Sequence, residues 1–366
     1  MSSAVAPIHK VVEGDWPALL AMLPQDLDAS AKEKGALVRK RVVKSAAVLL
    51  RLMLAYGFCG LSLRETAAWA DGSKICSVSD VALLKRFKKS VAWLGHLLAQ
   101  MLEERAKLCL SDIGKYRLRI VDATSVCRPG SKGSDFKVHL GLDLRLFAVD
   151  HVALTDAKGG ETLSRIPAGE GEVFVCDRAY GHRKGIWSVV KAGSEVIVRI
   201  SWLTLSLLHP DGSRFDILQE LSALRDNETG DFPVAIEPCE REGIPSVPGR
   251  LVALRRDEKD VEKARRRVRK EAQRKGKTPD KRSLAACEYV FVFTTLPVED
   301  ISARRVLEIY RLRWQIELVF RRMKSIAGLD ELAAKDDELC RAAILAKLLA
   351  ILLVEDVSLR LGAFSP

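Results

Sequence analysis

Three acidic residues stand where side chains of that type do chemistry. Asp122 lies inside an apolar strand-like run, IVDAT, and Asp177 closes another, FVCDRAY. A carboxylate among aliphatic residues is costly unless it is paired or holds a metal. Strand ends of an open α/β sheet also converge on the usual ligand crevice. The third acid is Glu317, in YRLRWQIELVFRRMK (310–324). On a helix, Tyr310, Arg313, Glu317 and Lys324 fall within an arc of about 60°, with Arg321 just beyond it. Ile309, Leu312, Ile316, Val319, Phe320 and Met323 form an apolar stripe beside that arc, so the charged edge borders a core-facing surface. If this helix packs beside the two strands, three carboxylates meet. With water and phosphate oxygens they suit Mg²⁺. Two such ions about 4 Å apart would activate an attacking oxygen and stabilise a leaving one. Tyr310, Arg313 and Lys324 would then be donors to phosphates. The plainer alternative is a solvated face on which Glu317 pairs with Arg313 and Arg321, with Asp122 a hydrogen-bonding aspartate and Asp177 a helix cap.

Elements able to position these residues are legible in the hydrophobic pattern. RLRIVDATSV (117–126), KVHLGLDL (137–144), LFAVDHVALTD (146–156), EVFVCD (172–177) and EVIVRIS (195–201) read as strands. A short helix is expected near Glu161 and another over RKGIWSVVKAG (183–193). Three strands followed by alternating helix and strand predict a mixed α/β sheet with helices on both faces. Residues 202–288 break the alternation with short β-like pieces, Pro233, Pro238, Pro245 and Pro248, and a basic run. YVFVFTTLP (289–297) restores a strand, and one helix is expected from Val298 to Lys324. Upstream, residues 15–110 read as helical. Ser62 and Ser79 are placed to cap two short helices, the second carrying Lys85, Arg86, Lys88 and Lys89. That pair suggests a helix-turn-helix on DNA, or generic helical packing. AAILAKLLAILLV (342–354) is too short to span a bilayer and is expected as a buried helix.

Composition narrows the function. The chain has 366 residues, 48% of them hydrophobic, which is globular and long enough for a sizeable core. Met1–Lys10 lacks the pattern of a secretory leader. Eight cysteines show no CxxC pair and no zinc spacing, as in a reducing compartment. Residues 255–282 hold 14 Lys/Arg against 6 Asp/Glu, supplying +8 of the formal +11. Such a concentration favours a polyanion, since each neutralised phosphate releases a counterion.

Tyr310, Arg313, Glu317 and Lys324 reproduce, gap for gap, the Y-R-E-K signature of a known family. The sequence resembles the bacterial insertion-sequence DDE transposases of the insertion-sequence-four branch, the Tn-five-like transposases, over about residues 115–330. Asp122 in VDATS, Asp177 in CDRAYG and the insertion before the glutamate helix carry the rest of the likeness. The resemblance implies a ribonuclease-H-like fold and a metal-binding catalytic triad of Asp122, Asp177 and Glu317. It implies two Mg²⁺ ions, with Mn²⁺ as a substitute, and contacts from Tyr310, Arg313 and Lys324 to transposon-end phosphates. Arg178 and Arg321 are expected to join them on DNA. It further implies cut-and-paste transposition through a hairpin, with a homodimer bridging both ends of double-stranded DNA and then engaging the target.

The family often stacks a tryptophan from the last insertion strand on a flipped base. That strand here carries Tyr289, Phe291 and Phe293, so Phe291, Phe293 and the nearby Trp202 are the stacking candidates. The expected organisation is a helical DNA-binding region over 1–112, catalytic sheet over 113–201, β-rich basic insertion over 202–296, and returning helices over 297–366. The expected setting is cytoplasmic and nucleoid-associated, with no membrane partner. The rivals are a nuclease of the same fold without strand transfer and a transposon-end-binding protein without chemistry.

Overall fold

A computed structural model describes residues 16–107 and 115–360 of the chain. The reading of Met1–Lys10 and the proposed boundary at 112/113 lie outside the described residues. From Arg117 the chain lays down a three-stranded meander, β1 (Arg117–Val126), β2 (Phe136–Asp143) and β3 (Ala148–Asp156), antiparallel throughout. Next come β4 (Glu172–Cys176), the helix Arg183–Val190, and β5 (Glu195–Arg199). β4 pairs parallel with β1, and β5 parallel with β4. The resulting order, β3-β2-β1-β4-β5, is a mixed sheet of an antiparallel meander and two parallel neighbours, as the sequence pattern predicts.

The insertion does not build a sheet of its own. Its strands β6 (Leu207–Leu208), β7 (Arg214–Phe215), β8 (Thr229–Ile236) and β9 (Val247–Arg255) continue the first sheet through β10 (Tyr289–Thr294). β10 is antiparallel to both β5 and β9, giving one ten-stranded sheet in the order β3-β2-β1-β4-β5-β10-β9-β8-β6-β7. Gly249 on β9 permits a close approach at this join, where a Cβ would lie 2.5 Å from the carbonyl of Thr294.

Strand side chains alternate between faces, and both faces are covered. Ile120, Val175, Ile197, Val252 and Val292 share one core with the helices Ala46–Gly57, Val91–Lys107, Ala303–Arg311, Trp314–Ser325 and Asp337–Arg360. Val121, Phe174, Val198, Leu251, Phe291 and Phe293 share the other with the helix Arg183–Val190. The apolar run 342–354 lies inside the helix Asp337–Arg360, where buried Lys347 donates to the Ala327 carbonyl at 3.2 Å. Among the described residues no helix is long and apolar enough to cross a membrane.

In the N-terminal part, Ser62 and Ser79 cap Leu63–Gly72 and Asp80–Lys88 as expected, Ser62 in a full capping box with Glu65. Of the basic residues Lys85, Arg86, Lys88 and Lys89, two are engaged within the protein. Lys88 pairs with Asp336 at 2.8 Å, and Arg86 donates to the Ala36 carbonyl at 3.3 Å. Lys85 and Lys89 are exposed and line a groove with Arg39.

The returning helix departs from expectation. It begins at Ala303, not Val298, and is broken into Ala303–Arg311 and Trp314–Ser325. At the break the backbone tightens. Leu312 N–H reaches Ile309, Arg313 reaches Tyr310, Gln315 reaches Leu312 and Ile316 reaches Arg313, each a three-residue step. Leu312 is therefore thrown out of the apolar stripe and stands 40% exposed, while Ile309, Ile316, Val319, Phe320 and Met323 are buried.

Candidate active site

Register between parallel strands builds the first part of the site. Val121 on β1 lies beside Cys176 on β4, and Cys176 lies beside Val198 on β5. The next residue along each is therefore Asp122, Asp177 and Arg199, a row across the sheet at the C-terminal ends of β4 and β5 and the middle of β1. Asp122 shares its face with Leu118 and Ile120, the face against which Trp314–Ser325 packs.

Asp122 is half-buried and its Oδ1 accepts from the N–H of Ala123 at 2.8 Å. Burial, reinforced by the neighbouring charge of Asp177, pushes its carboxyl up to about 6. Asp177 accepts from the N–H of Ala179 at 2.7 Å, so it does cap the short 3₁₀ turn Arg178–Tyr180 while sitting at the strand end. Gly181 then passes so close to β5 that a Cβ would lie 2.8 Å from the Arg199 carbonyl.

Glu317 reaches this row through Arg313. The Arg313 guanidinium donates to Glu317 Oε1 at 2.6 Å and lies 3.5 Å from Asp122 Oδ2. The expected pairing of Glu317 with Arg313 is thus present, and it links the helix to the strand. Lys324 anchors the far end of the same helix, donating to the Ser125 carbonyl of β1 at 3.2 Å. Tyr310 is half-buried, and burial raises its hydroxyl above the ordinary phenol range. Arg178 and Arg321 are exposed.

Beside the acidic row lies a basic cleft of about 270 Å³, lined by Arg199, Arg256, Tyr310, Arg311, Arg313 and Trp314. Burial and the nearby Arg199 depress the guanidinium of Arg256 below its ordinary range. Cations crowded this way favour an anionic occupant.

The base-stacking candidates are corrected by burial. Phe291 and Phe293 are 5% and 0% exposed, with their rings in the second core, because β10 is a central strand covered on both faces. Trp202 packs against the same core, and the guanidinium of Arg282 lies 4.8 Å from its ring centroid. Arg282 is itself held by both oxygens of Asp216, at 2.7 and 2.9 Å. Among the described residues the exposed aromatic is Trp314, 48% exposed and on the wall of the basic cleft. Its place directly after Arg313 in the signature was the available signal. Arg199 and Glu161 had none, since only tertiary placement brings them near. Glu161 pairs with Lys137 at 3.0 Å, and its charge is felt at Asp122.

Among the described residues no three His, Cys, Asp or Glu side chains already form a metal cage. The donor set nonetheless fits a hard divalent cation. All its atoms are carboxylate oxygens, and Asp122 and Asp177 repel one another in a way a cation would relieve. The cation of Arg313 already occupies the position between Asp122 and Glu317.

Comparison with known proteins agrees in kind. A family described as transposase DDE domain matches residues 113–353. A putative transposase InsL for insertion sequence element IS186A of Escherichia coli (strain K12) is 39% identical over 348 residues, 94% of each chain. The transposase for insertion sequence element IS421 of Escherichia coli is equally similar, at 39% over 349 residues. The transposase for IS231F of Bacillus thuringiensis subsp. israelensis is 26% identical over 75% of this chain and 65% of its own length. Among solved structures, the piggyBac transposase synaptic complex with hairpin DNA is a distant likeness, with TM-score 0.44 and 7% identity over 95% of this chain and 74% of that one. A DDE domain spanning most of the chain, with relatives of one kind matching nearly end to end, settles the family: the chain belongs to the DDE transposases of insertion sequences, enzymes that cleave DNA and transfer its strands with divalent metal.

Proposed function

We propose that this transposase moves its element by a cut-and-paste route, with Asp122, Asp177 and Glu317 as the catalytic triad that holds two Mg²⁺ ions, replaceable by Mn²⁺. The observation that carries the reading is the chain of contacts Asp122–Arg313–Glu317 beside Asp177, which ties three carboxylates from β1, β4 and the returning helix to one row across the sheet. When bound, the metal supplies an activated nucleophile and charge stabilisation for phosphodiester cleavage and strand transfer.

The chain's own residues do the rest. Asp122, within β1, and Asp177, at the end of the adjacent β4, orient the site, and Glu317 closes it from the helix. Tyr310 and Arg313, at the edge of the basic cleft, hold the phosphates of the transposon end, assisted by Arg178 and Arg321. Lys324 fixes the helix to β1 through the Ser125 carbonyl and offers its remaining donors to the DNA backbone. Trp314 takes the base-stacking role expected of a hairpin-forming enzyme, since its ring is exposed beside those cations. Lys85, Lys89 and Arg39 grip duplex DNA from the N-terminal helices. A homodimer pairs the two ends before the target is engaged.

The test is cleavage of a supercoiled plasmid carrying the element's ends, with Mg²⁺ and with EDTA. Metal-dependent nicks at both ends, hairpin products and joined target DNA are expected. Asp177→Asn and Glu317→Gln should each lose at least about 100-fold in cleavage, since even outer partners of a metal site cost 10–100-fold. End binding should persist in both. Cleavage near the wild-type rate in either variant would sink the triad assignment, and cleavage without joined products would favour a nuclease.

A further inference from the structure

Arg250 lies on β9, in the insertion, and its side chain is buried. A guanidinium withdrawn from water is costly unless its donors are met. Three partners meet them here. Nη1 donates to Asp231 Oδ2 on β8 at 2.6 Å, Nε to the Leu296 carbonyl at 2.9 Å, and Nη2 to the Ile301 carbonyl at 2.8 Å. Leu296 and Ile301 stand near the two ends of the link between β10 and the returning helix, and both are buried in the core that this helix shares. One side chain of the insertion therefore holds both ends of that link.

The second carbonyl bears on where the helix begins. In a continuing α-helix the Ile301 carbonyl would accept from the N–H of Arg305, four residues on. That N–H turns instead to Ser302 Oγ at 3.4 Å, and the Ser302 carbonyl accepts from Val306 at 3.0 Å. With its carbonyl engaged by Arg250, Ile301 stays outside the helix, and Ala303 is the first helical residue although the apolar pattern allows a start at Val298. Apolar packing of the same volume can hold such a join as firmly as a buried ion pair. It cannot aim two carbonyls. We infer that Arg250 is a positioning residue for DNA cleavage: it fixes the start of the returning helix, and with it the place of Tyr310, Arg313 and Glu317 beside Asp122. The inference rests on the proposed reading that Glu317 completes the triad.

Full-length Arg250→Lys tests it, by single-turnover cleavage of element-end DNA at saturation, with DNA affinity and thermal unfolding measured alongside. An ammonium keeps the charge but lacks the planar fork that reaches three partners at once. Cleavage should slow by about 10- to 100-fold, the scale on which a small misplacement of a reacting group acts. End binding should stay near the wild-type value, because the N-terminal groove and the helix Glu258–Arg274 are left in place. Asp231→Asn is the counterpart. It removes the carboxylate and leaves both carbonyl bonds, so it should lower the unfolding temperature with cleavage little changed. Wild-type cleavage by Arg250→Lys overturns the inference. So does its failure to fold, or a loss of cleavage in both variants that merely follows their loss of stability; each would leave Arg250 a support of the fold alone. Glu317→Gln separates the two levels. If it is inactive while Arg250→Lys cleaves normally, only the role of Arg250 fails; if it cleaves like the wild type, the triad reading fails and takes the inference with it.

Discussion

The guanidinium of Arg313 is shared between Glu317 at 2.6 Å and Asp122 at 3.5 Å, so a cation entering the acidic row must displace it. Arg313→Ala should therefore bind Mn²⁺ more tightly than the wild type, on the order of tenfold, because a competing charge at contact distance has gone. The same change should weaken cleavage, since a phosphate donor is lost. Isothermal titration beside a cleavage assay checks both halves; weaker metal binding would mean that Arg313 organises the carboxylates and does not compete for them. A second contrast concerns the aromatics. Trp314→Ala should leave the unfolding temperature almost unchanged and reduce hairpin formation by about tenfold, from a stacking energy of roughly 1–3 kcal/mol. Phe293→Ala should instead cost about 3–5 kcal/mol of stability, as for a ring at 0% exposure in a core. Alternation along YVFVFT identified a strand, but it could not tell which face would be wet. Here neither is. Asp122 and Asp177 were legible because a charge inside an aliphatic run is conspicuous, whereas Arg199 looks like any strand-terminal arginine until register places it beside Asp177.

At the scale of elements, the returning helix is bent where nothing in the sequence announces a bend. Residues 311–314, RLRW, contain no glycine or proline, and the apolar period runs through them. The break serves tertiary demands: Arg313 is turned toward Asp122 while Ile316 and Phe320 remain buried. The basic run was legible, and most of it forms the helix Glu258–Arg274, in which Val261 is the buried residue. One face bears Arg267, Lys270, Arg274 and Lys275, the last paired with Glu271 at 2.6 Å, and its excess of cations favours a polyanion. Replacing Arg267 and Lys270 together by glutamine should lower the slope of log affinity against log salt by up to about 2, because each lost phosphate contact releases roughly 0.9 fewer counterions. DNA-binding isotherms over a range of KCl concentrations measure it, and an unchanged slope would place that helix away from DNA. The effect should be the same for specific and unrelated sequences.

Across the whole molecule, acid should act through buried histidines. His139 and His151 are both pushed down to about 4, chiefly by burial, from an ordinary value near 6.5. In the window between those values the unfolded chain binds more protons than the folded one. The stability they contribute is therefore complete above about pH 6.5 and is lost as pH falls toward 4. Each can remove at most about 3 kcal/mol, reached only when the pH has fallen to about 4. Asp122, raised to about 6, works in the opposite direction and offsets part of the loss. Thermal melts in EDTA from pH 7.5 down to 5 should fall steadily, and His139→Gln should flatten that fall; a curve unchanged by the substitution would assign the acid sensitivity elsewhere.

The unbroken sheet bears on how such proteins can be recombined. β10 is hydrogen-bonded to β5 of the catalytic part on one side and to β9 of the insertion on the other. Grafting the segment between β5 and β10 from one relative into another would leave the donor's β9 seeking the recipient's β10, with a new pairing surface along six residues. A graft that carries β10 with it moves the mismatch to β5, where three residue pairs must be re-made instead. Chimeras cut after β10 should therefore be recovered as soluble protein more often than chimeras cut before it, and exchange of DNA-gripping parts between relatives has its natural seam at that shorter ladder.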